Sequence, residues 1–145
     1  MAPTKSGLAA TLLAGASLWA GATDANPLVA EQWRTRPLVV VAPSAQHPLP
    51  AGLQAQLRQA RVRDAFQERD MVLFTVIGGE GRRDGQLLTA EQTGGLLQAL
   101  NLTASSPATA FLIGKDGSIK LTEQGDHLAL ASMFALIDTM PMRQR

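Results

Sequence analysis

The sequence predicts an α/β domain built on a mixed four-stranded sheet, in the order βαβ-α-ββα, with helices on both faces. Three observations predict it. Two valine-rich apolar runs bracket a segment of helical periodicity, an Asp-Gly turn joins two further strand-like runs, and an amphipathic stretch precedes Pro141.

The first strand is read from Leu38 to Ala42, a continuous apolar run between Pro37 and Pro43, as expected for a strand buried on both faces. Residues 49–70, LPAGLQAQLRQARVRDAFQERD, place Leu53, Leu57, Ala60 and Phe66 at roughly helical spacing and predict one helix. Met71 to Ile77, MVLFTVI, reads as a second buried strand. A strand, a crossover helix and a strand make a right-handed unit whose strands run parallel.

Residues 78–86, GGEGRRDGQ, read as a flexible surface loop, because neither a phosphate-binding nor a dinucleotide-binding glycine pattern is complete. Thr89 and Gln92 fit a capping box, and Leu96, Leu97 and Leu100 form the stripe of the helix that follows. Gly94 and Gly95 each weaken that helix by about 1 kcal/mol relative to alanine. Residues 108–122, ATAFLIGKDGSIKLT, predict an antiparallel hairpin with a half-exposed second strand, whose edge Lys120 protects. Asp126 is the expected N-cap of the last helix, with Leu130, Met133, Phe134 and Ile137 on its buried face.

Composition narrows the function classes. The 145 residues suffice for one domain, with 46% apolar and 17% charged residues. Residues 1–22 hold a single base, Lys5, then an uncharged run ending in Ala20-Gly21-Ala22. That is the pattern of a cleaved secretory signal, and the run is shorter than the ~20 residues of a membrane span. The expected mature domain is 23–145, periplasmic or secreted, with no membrane span after cleavage. It then carries 12 basic and 12 acidic residues, a balance that argues against nucleic acid as a partner. The absence of cysteine excludes disulfides, thiol redox chemistry and cysteine-held metal centres.

Several pieces carry a family resemblance. The element order is that of the thioredoxin fold. Ser106-Pro107 stands where thioredoxin relatives have a cis-proline, and Pro43 to Pro48 where they have Cys-x-x-Cys, both cysteines being absent here. More closely, Trp33 with Arg36-Pro37, Glu68-Arg69-Asp70, Gly114-Lys115-Asp116-Gly117 and the terminal IDTMPMR string resemble an uncharacterised thioredoxin-like domain of unknown function. That family occurs in bacterial exported proteins and in animal extracellular-matrix and sushi-repeat proteins. The resemblance implies fold and export, and no chemistry.

The leading expectation is an exported, cysteine-free binding module for a protein, envelope or extracellular component, with no cofactor, metal or catalytic residue assigned. Its expected recognition surface is Pro43, Ser44, Gln46, His47 and Pro107, since loops after parallel strands gather at one end of a sheet. The charged residues Arg69, Asp70, Lys115, Asp116, Asp138 and Arg143 are expected to tie loops together or to line a polar recognition patch. The alternatives are a cysteine-independent enzyme using Ser44 and His47, and a metal-binding protein using Met140 and Met142, a soft-ligand pair, with His47 and His127. An oligomeric assembly role stands as a third class. Asn101-Leu102-Thr103 matches a glycosylation sequon.

Overall fold

The computed structural model describes residues 25–142. The expected signal segment 1–22 and Arg143 lie outside the described residues. Within them a 3₁₀ turn, Val29–Glu31, leads into β1 (Arg36–Ala42). Then come α1 (Pro48–Leu57), α2 (Ala60–Glu68), β2 (Met71–Ile77), β3 (Glu80–Arg83) and β4 (Gln86–Leu87). The chain continues through α3 (Ala90–Ala99), β5 (Thr109–Ile113), β6 (Ile119–Gln124) and α4 (Leu130–Asp138). The strands form one mixed sheet in the order β4-β3-β2-β1-β5-β6.

The sheet has six strands, not four. The four expected strands stand contiguously as β2-β1-β5-β6, with β1 parallel to β2 and antiparallel to β5, and β5 antiparallel to β6. The extra pair comes from the segment expected to be a loop. Gly78 and Gly79 take φ of 58° and 83° and fold β3 back on β2, where Ile77 pairs with Glu80. Asp84 and Gly85, at 47° and 85°, then make a two-residue turn closed by the Arg83–Gln86 pair. Both dipeptides suit turns that need two consecutive positive φ values.

Alternation along β1 sorts the core into two layers. Leu38, Val40 and Ala42 pack with Leu49, Leu53 and Phe66 of α1 and α2 and with Leu130, Met133 and Ile137 of α4. Val39 and Val41 face the other way, toward Phe74, Val76, Phe111 and, from α3, Leu96. Both faces of the central strands are therefore covered, which is why β1 is buried at every position.

The helix ends depart from expectation in two places. The single helix expected over 49–70 is two, broken where Gln59 is extended at φ −77°, ψ 123°. Arg63 Nη1 donates to the carbonyls of Leu57 and Arg58 and so satisfies the end of α1. The last helix starts after Ala129, and Asp126 is not its cap. Gln56 of α1 supplies that cap from across the layer, accepting from Leu130 N at 3.2 Å and donating to Leu128 O at 2.6 Å. The Thr89 capping box forms as expected.

Candidate functional site

The two groups of candidate residues occupy opposite ends of the sheet. Val41 pairs with Thr109, so the chain leaves β1 at Pro43 and enters β5 past Pro107 at one end. Arg36 pairs with Met71, and Leu38 with Leu112, which brings Trp33, Asp70 and Lys115 together at the other.

At the first end Pro43, Ser44, Gln46 and Pro107 are exposed and His47 is half-buried. Every peptide bond among the described residues is trans, the one before Pro107 included. His47 is the N-cap of α1: its Nδ1 accepts from Leu49 N at 3.2 Å, and its Nε2 faces the exposed Asp126 at 3.8 Å. With the Nδ1 lone pair engaged by a backbone N–H, the ring has no free base to offer the Ser44 hydroxyl. The arrangement fits a helix cap and does not fit a nucleophile and base.

The second end is organised by paired charges. Arg69 caps α2 and its guanidinium grips Asp138 at the end of α4 through two bonds, Nε to Oδ1 at 3.0 Å and Nη2 to Oδ2 at 2.9 Å. Arg69 Nη1 also donates to Ala65 O, and the guanidinium lies 4.7 Å from the Phe134 ring centre. Arg36, 2% exposed, donates from Nη1 to the Arg69 carbonyl. Lys115 reaches Asp70 at 2.8 Å, and Lys120 reaches Asp116 at 3.1 Å. Five of the six charged candidates thus meet at this pole, and each joins separate chain segments or braces the β5–β6 turn.

Two non-glycine residues here hold positive φ, Trp33 at 68° and Asp70 at 55°. Each stands shortly before a parallel strand, and each costs about 1 kcal/mol of backbone strain. Trp33 N donates to Lys115 O and Arg36 N to Asp70 O, bonds that hold both conformations. Trp33 is left 64% exposed.

Around the Gly114–Gly117 turn run two grooves that share Gly114 and Asp116 as a wall. One, of about 310 Å³, is lined by Trp33, Arg36, Lys115, Lys120, Met140, Pro141 and Met142. The other, of about 320 Å³, is bordered by Leu28, Val29, Gln32, Leu100, Ile113 and Ile119. Among the described residues, four of the five large apolar side chains that are exposed border these grooves: Val29, Trp33, Ile119 and Met142. The exception is Leu87 on the far edge strand β4. Sequence reasoning found the charges and both methionines but missed the apolar patch. The signal for it was Trp33, an aromatic residue outside every apolar run.

Asp116 anchors the shared wall. Its carboxylate accepts from Ser118 N and Oγ at 3.0 and 2.8 Å. These bonds, the backbone one foremost, together with Lys120, hold its pKa down at about 2 against an ordinary 3.8. A depressed folded-state pKa contributes stability that is complete above the unfolded value and lost as pH falls through the folded one. Unfolding free energy measured between about pH 5 and pH 2 is expected to fall less steeply in Asp116→Asn than in the parent. Parallel curves would show that the turn is not coupled to global stability.

A second ionic contact fixes a residue that lines the Leu28–Val29 groove. Glu31, 6% exposed, accepts from Arg83 Nε at 2.7 Å and from Thr35 Oγ1 at 2.9 Å. Burial pushes its carboxyl upward, but these bonds and the charges of Arg83 and Arg34 outweigh burial and leave the pKa lowered. The N-terminal segment is thereby pinned to β3. His127 is exposed, and among the described residues no three His, Cys, Asp or Glu side chains gather to hold a metal. Nor, among those residues, is any helix long and apolar enough to cross a membrane.

In comparison with known proteins, residues 27–145 fit a family model described as Domain of unknown function (DUF4174). No curated protein matches. No solved structure matches.

Proposed function

Since the chain belongs to the DUF4174 family, a domain of unknown function, we propose that it is an exported, thioredoxin-like interaction module whose recognition surface is the Trp33 pole. The strand order β2-β1-β5-β6, with one parallel and two antiparallel pairs, supports the thioredoxin-like reading. The uncharged run before Thr23 supports export to the periplasm or exterior. The observation that carries the recognition surface is that Val29, Trp33, Ile119 and Met142 are exposed along two neighbouring grooves that share the Gly114–Asp116 wall. Exposed apolar side chains bordering adjoining grooves, an exposed tryptophan among them, are features of a binding surface.

Co-immunoprecipitation of the full chain from its own cells tests this, beside Trp33→Ala and beside Ser44, Gln46 and His47 changed together to alanine. A partner kept by the triple variant and lost with Trp33→Ala is the expected result, because truncating an interface tryptophan typically costs about 2 kcal/mol or more of binding. The reverse pattern returns the recognition role to the Pro43–Pro48 loop. N-terminal sequencing of the recovered protein is expected to begin near Thr23.

A second reading is favoured by the presence of both thioethers in one groove with Trp33. Soft monovalent copper prefers such ligands, and an indole face attracts a cation. Titration with Ag(I), a redox-inert stand-in, should then quench Trp33 emission; unchanged emission up to micromolar metal removes this reading.

A further inference from the structure

We infer that Met142 is a site of oxidation by hydroperoxides, and that its conversion to the sulfoxide repolarises the groove beside Trp33. The inference rests on the reading of that groove as a recognition surface and adds its regulation. Three observations carry it. The chain has no cysteine, so no internal thiol competes for the oxidant. Accessibility ranks the described methionines: Met142 is 38% exposed, Met140 is partly buried against the core, and Met71 and Met133 are 7% and 0% exposed. Finally, Met142 shares its groove with Trp33 and with the ammonium groups of Lys115 and Lys120.

The chemistry follows from these neighbours. The thioether sulfur attacks the terminal oxygen of the hydroperoxide; the O–O bond breaks as the S–O bond forms, and the hydroperoxide proton passes to the departing oxygen. Sulfur loses two electrons, and the peroxide is reduced to an alcohol or water. The product replaces an apolar wall with a polar hydrogen-bond acceptor next to lysines that now serve Asp70 and Asp116. An acceptor placed there draws on those lysines and admits water where an apolar partner surface would sit.

The test uses the full chain carrying Trp19→Phe, which leaves Trp33 as the only tryptophan. During exposure to dilute hydrogen peroxide, each methionine is followed by peptide mass spectrometry and Trp33 by its emission. Met142 sulfoxide is expected on the order of tenfold ahead of Met71 and Met133, with Met140 between them. The emission change should track the Met142 step, reverse with methionine sulfoxide reductase and be missing in Met142→Leu. Oxidation of Met142 no faster than of the buried methionines overturns the inference, as does unchanged emission at full Met142 conversion or the same change in Met142→Leu. None of these readouts needs a partner, so failure of the interaction reading leaves them intact and is told apart from failure of this one.

Discussion

Replacing Arg69 with alanine is expected to destabilise the fold by about 2–3 kcal/mol, the larger part of it from the charge-assisted fork and the ring contact. Arg69 is 14% exposed at its side chain, so its bonds are only partly screened, whereas Asp138 at 45% keeps contact with water. The variant therefore loses a clamp without stranding a buried charge, which holds the cost below that of breaking a fully buried pair. Two helix ends separate: the guanidinium is the link between the last turn of α2 and the last turn of α4, and it covers Phe134. Arg69→Lys keeps the charge but loses the planar fork, and should restore less than half of the loss. Urea unfolding of the three proteins checks this. A cost below about 0.5 kcal/mol for Arg69→Ala would place the pair among surface ion pairs of no consequence.

The second large effect is a reversal of sign between neighbouring glycines in α3. Gly94→Ala is expected to stabilise by about 1 kcal/mol, the ordinary helix-propensity gain, since nothing lies within 4 Å of an added Cβ. Gly95→Ala gains the same propensity and is nevertheless expected to lose about 2 kcal/mol net. A Cβ there would run into the backbone carbonyl of Ala25, which rests on the helix at that point. Backbone cannot rotate aside as a side-chain tip does, so the N-terminal segment would have to lift from α3. That movement pulls on the wall formed by Leu28 and Val29 and on the Glu31–Arg83 contact. Thermal unfolding of both variants decides it; equal stabilisation would show that the segment yields without cost.

What the sequence revealed depended on where each signal originates. β1 and β2 were legible because strands buried on both faces must be apolar at nearly every position, and α3 because Thr89 and Gln92 cap it from within four residues. The β2–β3–β4 turns were hidden by their surroundings. Gly78-Gly79 and Asp84-Gly85 are strong turn signals, but Glu80, Arg82 and Arg83 between them lack the apolar alternation that marks a strand. The cap of α4 was illegible in principle, since Gln56 reaches it from another helix. The charged candidates were found at residue level, but their convergence was not. It follows from the pairing of β1 with β5, which sets the turn at Lys115 beside Trp33. The alternative role of Ser44 and His47 gains no support from the local geometry, in which the imidazole serves as a helix cap.

The position of β1 also dictates an order of assembly. Its two neighbours are β2, residues 71–77, and β5, residues 109–113, so the central strand is made first and completed late. A chain emerging N-terminus first can form the local β1–α1–α2–β2 unit early, but one edge of its most apolar strand stays open until residue 113 is free. Pairing across such a sequence separation is slow. During that interval Leu38 to Ala42 is the segment most exposed to pairing with the wrong strand. Any factor that guards the emerging chain against aggregation therefore has to act on β1.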